Sequence, residues 1–306
     1  MHSSLRKMAL GLQGLGLAAL LGGCNQPLEV TPLPDQAFDA VTLDRLRQSQ
    51  ATNVESILAQ NQLLNPEQNN RLSRSPYHPL TYLDLPDCWL DEHCHYCVTE
   101  TGIPVQAFPA NPAVYQWWQN RDTAPEQAAV CGIRFLDPGL QEYELASFQN
   151  TYELESTPDF VLTHYQQCGS CSTLQDLAVY GSLDLTTMAK TCSKRPGFAN
   201  KKQCMEAIGF TPACAESWAY NAAQTAQSCF VVCVQEYGLT PLLLGTESSP
   251  NTNDGALNQC LQCDELMAGP GFQYSAGRTR RNSGITSEID RPDEQVYDVD
   301  HAYFQH

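Results

Sequence analysis

Cysteine is the feature that most restricts what this chain can fold into: of 14 in 306 residues, all but Cys24 fall between Cys88 and Cys263. That density belongs to stapled domains of oxidising compartments, although such domains are usually shorter. A bridge needs two Cα atoms within about 7 Å, so each pairing ties together segments that sequence spacing alone does not identify. Hydrophobic residues make up 42% of the chain and aromatic residues 9%, which suffices for a core and excludes wholesale disorder. The net charge is −17, from 34 acidic against 17 basic residues. With no basic stripe to offset that charge, a nucleic-acid partner is excluded.

The N-terminus reads as an export signal. Arg6 and Lys7 precede an apolar run, Met8 to Leu21, that is too short and too glycine-rich to span a bilayer. It ends in Leu21-Gly22-Gly23-Cys24, which resembles the lipobox of bacterial lipoproteins. The resemblance implies removal of residues 1–23, a diacylglyceryl thioether on Cys24, and attachment to a membrane through acyl chains. Asn25 stands where Asp would signal retention in the inner membrane, so the expected address is the outer membrane, facing periplasm or exterior. Residues 24–76 then read as a proline-bearing tether, with a helix between about 38 and 65 suggested by Leu43, Leu46, Val54, Ile57 and Leu58. Residues 77–306 read as the cysteine-rich globular domain.

Within that domain Gly132 to Leu136, Tyr143 to Phe148 and Phe160 to Tyr165 read as strands, with a helix near Tyr152 to Ser156. From Ser172 onward the pattern is helical. Thr211-Pro212 joins an N-cap to a first helical position, and the segment Ala213 to Tyr237 runs to Gly238, a good C′ residue. Cys214, Trp218, Thr225, Cys229 and Cys233 share one face of that helix. The expected class is α+β and disulfide-rich, a small sheet region followed by a mainly helical C-terminal half. Cys204 and Cys214, separated by Gly209-Phe210-Thr211-Pro212, are a candidate bridge.

Three CxxC pairs carry the candidate chemistry: Cys94 with Cys97, Cys168 with Cys171, and Cys260 with Cys263. None is followed by His, which excludes attachment of c-type haem. The order of strand, Cys168-Gly169-Ser170-Cys171 and helix resembles the redox motif of the thioredoxin family, and Pro212 follows at about the separation of that family's proline. The resemblance implies that, if the chain is an enzyme, it is a thiol–disulfide oxidoreductase with Cys168 as nucleophile and Cys171 as resolving thiol. It departs from the family where Pro212 opens a helix rather than a strand. The other reading pairs Cys168 and Cys171 with distant cysteines. Around the first pair, His93, Cys94, His95 and Cys97, beside Cys88 and Asp91, gather ligands suited to zinc or copper. Against a metal stand the adjacency of His93 and Cys94 and a compartment that favours disulfides. No other cofactor is implied.

Arg278, Arg280, Arg281 and Arg291 cluster in a glycine-flanked stretch. Arginine forks and approachable backbone N–H groups suit a small anionic ligand; equally, Glu288, Asp290, Asp293, Glu294, Asp298 and Asp300 would make the cluster an internal clamp. The set Cys168 to Ser172, Leu257 to Glu265, Gly269-Pro270 and Ala276 to Gly284 resembles an uncharacterised cysteine-rich family of secreted proteins from marine microbes, over roughly residues 130–305. That resemblance implies a single domain and no particular chemistry. HExxH, Walker, G-x-S-x-G and EF-hand motifs are absent. The sequence therefore points to a membrane-anchored, cysteine-rich lipoprotein with a binding or structural role, whose further partner would be a small anionic ligand or a protein.

Overall fold

The computed structural model describes residues 28–60, 128–244, 246–247, 251–252, 257–287, 289 and 296–304. The signal segment, Cys24, the cluster of Cys88, His93, Cys94, His95 and Cys97, and Arg291 lie outside the described residues. From Thr31 onward the described residues belong to one compact unit.

Strand β2 (Val130–Phe135) is the centre of the sheet region because it is apolar on both faces: Val130, Cys131 and Ile133 are fully buried. On one side it pairs antiparallel with β3 (Glu142–Phe148), Val130 opposite Phe148 and Phe135 opposite Tyr143. On the other it pairs antiparallel with β4 (Val161–Tyr165), with a register shift between Cys131 and Gly132. A Cβ on Gly132 would meet Leu154 Cδ1 at 2.8 Å and Phe148 Cε2 at 2.9 Å. Glycine there lets a short helix, α3 (Thr151–Glu155), capped by Asn150, press Leu154 onto the sheet. A two-residue strand, β1 (Gln50–Ala51), adds to β3 in parallel and completes a mixed four-stranded sheet in the order β1-β3-β2-β4.

The segment read as a tether is partly built into this unit. Helix α1 (Ala40–Gln48) starts at Asp39, whose carboxylate accepts the Thr42 N–H at 2.7 Å, and it buries Leu43 and Leu46. Helix α2 (Val54–Gln60) buries Ile57 and Leu58. Between the two helices Asn53 donates to the Leu145 carbonyl at 2.8 Å and accepts its N–H at 2.9 Å, extending the edge of β3 by a side chain. The patchy apolar stripe of residues 43–58 is therefore a docking face.

Among the described residues eight α-helices follow: α4 (Leu174–Ser182), α5 (Leu185–Ser193), α6 (Phe198–Ala207), α7 (Pro212–Ser228), α8 (Phe230–Tyr237), α9 (Leu239–Leu244), α10 (Gln259–Met267) and α11 (Gly269–Ala276). Thr173, Asp184, Thr211 and Asn258 cap four of them with their side chains, and Pro212 takes the first position of α7. The continuous helix expected to reach Tyr237 is broken at Cys229, which joins α7 to α8 with φ −112° and ψ 0°. Beyond the break Cys229 bonds Cys263 and Cys233 bonds Cys260, two rungs between α8 and α10. Spacings of four and three residues put each pair on one helix face, so antiparallel helices can be joined twice. Cys204 does not pair with Cys214: on α6 it faces α5 and bonds Cys192, whereas Cys214, in the first turn of α7, bonds Cys171.

Leu46 has no exposed surface. Leu46→Ala should lower the unfolding free energy by about 3 kcal/mol, read from urea midpoints under non-reducing conditions. An unchanged midpoint would mean that α1 does not pack as described.

Candidate functional site

Two of the motifs singled out in the sequence meet in the folded chain. The loop Cys168 to Ser172 lies against Ser275 to Arg278, joined by backbone hydrogen bonds from Ser170 N to Ser275 O at 2.8 Å and from Cys171 N to Ala276 O at 2.9 Å. Both loops approach too closely for side chains at the contact. A Cβ on Gly169 would lie 2.6 Å from Ser275 O and from the Ala276 carbonyl carbon, and one on Gly277 (φ +71°) would lie 2.6 Å from Gln167 O and Gly169 N.

Arg278 occupies the centre of this junction and is fully buried. Its Nε donates to Cys171 O at 3.1 Å; Nη1 donates to Thr163 O at 3.0 Å and Ser283 Oγ at 3.1 Å; Nη2 donates to Thr163 Oγ1 at 2.6 Å and Ser172 O at 3.2 Å. All five guanidinium N–H groups thus have acceptors, most of them backbone carbonyls rather than the carboxylates of residues 288–300. Asn282 does the same work one step along, donating to Tyr165 O and Gly277 O, both at 2.8 Å. Together Arg278 and Asn282 take the Thr163 and Tyr165 carbonyls of β4, so side chains occupy positions that a further strand would otherwise fill. Arg280 is also buried and donates to the Leu183 carbonyl, and Arg281 opens the 3₁₀ turn Arg281–Ser283.

His164 and Ser172 lie beneath the fork. His164 Nδ1 is 2.7 Å from Tyr165 O, an acceptor only, so Nδ1 carries the proton and Nε2 accepts from Ser172 Oγ, also at 2.7 Å. Ser172 Oγ in turn accepts the Gly169 N–H at 2.8 Å. Burial, and then the Arg278 charge, hold the His164 pKa well below the usual imidazole range. His301 is a second neutral imidazole beside the fork, donating through Nε2 to Ser283 O at 2.9 Å and accepting from the Tyr303 hydroxyl at 2.8 Å. Burial and the same cation lower its pKa to about 4. A hydroxyl bonded to an imidazole is the pair that activates a serine in acyl transfer, but Ser172 and His164 have no exposed surface, and here the pair orders the loop.

Asp176 ties the junction to the helices. It accepts from Thr173 Oγ1 at 2.6 Å, Thr211 N at 2.8 Å and Thr211 Oγ1 at 3.0 Å, joining the start of α4 to the start of α7. Burial lifts its pKa to about 6.

The sulfurs of Cys168 and Cys171 belong to two bridges, Cys131–Cys168 and Cys171–Cys214, and all four are fully buried. A dithiol exchange site needs its two sulfurs bonded to each other or free, with the nucleophile accessible. The helix after the loop starts at Leu174, so its N-terminus lies well beyond Cys168. Among the described residues, no group of three or more His, Cys, Asp or Glu side chains could hold a metal ion. Sequence reasoning singled out Arg278 but missed Thr163, Asp176, Asn282 and His301 as its surroundings. The legible signal was polar residues inside apolar patterns, Thr163-His164 in a strand and Asp176 in a helix otherwise apolar at Leu174, Leu177 and Ala178.

Arg278→Lys keeps the charge and loses the fork, leaving carbonyls of Thr163, Cys171 and Ser172 short of donors. It should cost about 3 kcal/mol, measured by chemical denaturation, and a loss under about 1 kcal/mol would deny the fork its structural role. For Asp176, whose unfolded pKa is ~3.9, the folded state holds a proton between about pH 4 and pH 6 that the unfolded chain has lost, so its contribution falls as pH rises through that window. The depressed imidazoles His164 and His301 act oppositely, since there the unfolded chain holds the extra protons. Asp176→Asn removes one falling contribution. Stability measured at about pH 4.5 and about pH 6 should therefore climb more steeply with pH in the variant, by up to about 1.4 kcal/mol per unit, and equal slopes would contradict the raised pKa.

Residues 198–299 match the model of a family of unknown function, DUF8771, a stretch that contains α6 to α11 and the arginine turn but not the sheet. No curated protein and no solved structure matches the chain.

Proposed function

We propose that this chain is a lipid-anchored protein of the bacterial envelope, in which a disulfide-stapled domain with a binding or structural role is held at a membrane through Cys24. The observation that carries this reading is the use made of its conspicuous chemistry. Ten cysteines form five bridges and Arg278 is enclosed by carbonyls, so groups that a catalyst or an anion receptor would present are engaged in holding the fold. The bridges support an oxidising address outside the cytoplasm. The anchor is supported by Leu21-Gly22-Gly23-Cys24, and the outer membrane by Asn25. Acyl chains contribute about 0.8 kcal/mol per buried CH₂, which makes such attachment long-lived.

Two measurements test the reading. In a bacterial host, labelled palmitate should enter the wild-type chain and not Cys24→Ala; an unlabelled wild type would remove the anchor. Alkylation under denaturing, non-reducing conditions should leave Cys131, Cys168, Cys171, Cys192, Cys204, Cys214, Cys229, Cys233, Cys260 and Cys263 unmodified. A Cys168–Cys171 bond opening at mild reducing potential, together with insulin reduction, would instead favour an oxidoreductase.

A further inference from the structure

Helix α9 (Leu239–Leu244) reads Leu-Thr-Pro-Leu-Leu-Leu, yet all six residues keep contact with solvent. Leu239 is 49% exposed, Leu243 70% and Leu244 71%. Leu242 holds the helix to the body by packing against the cluster around Cys229 and Cys263. Adjacent apolar side chains left in water at that level mark a surface that meets something else.

A second feature corrects the reading that the chain has no basic stripe. Between Asp184 and Glu206 there is no acidic residue, while Lys190, Lys194, Arg195, Lys201 and Lys202 supply five of the chain's 17 basic residues. They lie on the hairpin of α5 and α6, which Cys192–Cys204 staples. Its tip, residues 194–200, is exposed apart from the half-buried Arg195, and includes Phe198. Lys202 pairs with Glu206 and Glu216, and Lys201 donates to the Ser193 carbonyl. Lys190 and Arg195 make no ion pair among the described residues.

The two features are neighbours. Lys194 Nζ lies 3.1 Å from Glu247 Oε1, and Glu247 follows Leu244 by three residues. The ion pair thus ties the chain just beyond the leucines to the cationic tip, and leucines and tip together are taken as one face.

We propose that this face docks on an anionic bilayer, with Leu239, Leu243, Leu244 and Phe198 entering the boundary between headgroups and acyl chains and Lys190 and Arg195 meeting lipid phosphates. The inference rests on the anchoring reading above: Cys24 precedes Thr31 by seven residues, a length that spans at most about 25 Å, so an anchored domain has a bilayer within reach. The overall charge of −17 does not oppose docking, because charges more than about 10 Å from the headgroups are screened. What the lipid meets is the stretch from Leu185 to Met205, which carries no carboxylate of its own, while the adjoining Glu247 is paired with Lys194 and nearly buried.

The test is flotation of the full-length, unlipidated Cys24→Ala protein with vesicles of phosphatidylethanolamine and phosphatidylglycerol in equal parts, and with pure phosphatidylcholine. The protein should partition to the anionic vesicles more strongly. Leu243→Ser/Leu244→Ser should weaken that partition about tenfold, and Lys190→Gln/Arg195→Gln several-fold. High salt should reproduce the effect of the second pair and not of the first. Leu243 and Leu244 are exposed and Lys190 and Arg195 half-buried, and an unchanged thiol count confirms that each variant keeps its bridges. Absence of flotation, equal flotation of all variants, which would assign binding to the apolar run before Cys24, or indifference to lipid charge would each overturn the proposal. So would a parent that sediments as a dimer and becomes a monomer on the leucine substitutions, because a second copy would then cover the face. Palmitate labelling reports separately on the anchor: patch-dependent flotation without labelling removes the anchor and keeps the docking face, and labelling without patch dependence does the reverse.

Discussion

A guanidinium ion enclosed in protein is tolerable only if every one of its N–H groups has an acceptor, and the rest of this structure is arranged around meeting that requirement for Arg278. Its acceptors come from β4 (Thr163), the cysteine loop (Cys171, Ser172) and its own turn (Ser283), so the fork can be satisfied only when sheet, loop and C-terminal turn are all in place. Two glycines admit the close approach, and two imidazoles beside the cation stay neutral because they are buried and, secondarily, because of its charge. The arginine acts as a keystone: it bonds three segments that share no secondary structure.

Around that keystone the sulfurs divide the labour. Cys131–Cys168 holds the loop to the middle of the sheet, and Cys171–Cys214 holds it to the first turn of α7. A CxxC spacing thus serves as a junction between two halves of the fold, its members bonded in opposite directions. Farther out, Cys229–Cys263 and Cys233–Cys260 form one apolar cluster with Val232 and Met267, against which Tyr237 and Leu242 pack. Helices of eight and nine residues are too short to be stable alone, and cross-linking compensates for the small interface they share.

Elements whose residues carry their own local signal were legible in the sequence. The three longer strands lie within a few residues of where apolar runs put them, and Thr211-Pro212 opens a helix as its capping chemistry requires. What escaped reading was set by distant contacts. The stripe of Leu43, Leu46, Ile57 and Leu58, read as one helix within a tether, is shared by two short docked helices joined through β1. The break at Cys229 has no proline or glycine to announce it. Cysteine spacing suggested Cys204 with Cys214, but bond partners depend on which helices face each other, and periodicity does not report that. The arginine cluster was visible, yet its acceptors are mostly backbone carbonyls, which every residue possesses and no sequence pattern marks.

The order of the bridges along the chain bears on how the protein is made. Cys192–Cys204 lies inside the loop closed by Cys171–Cys214, and Cys233–Cys260 lies inside the loop closed by Cys229–Cys263. A chain crossing a membrane N-terminus first presents Cys192 to Cys171 before Cys214 has emerged, and Cys233 to Cys229 before Cys263. An oxidant that joined Cys192 to Cys171, or Cys233 to Cys229, as they appeared would misplace both nested pairs. For a chain exported in that way, reaching the native set would depend on thiol exchange after the later cysteines arrive, which would couple maturation to the reshuffling capacity of the receiving compartment.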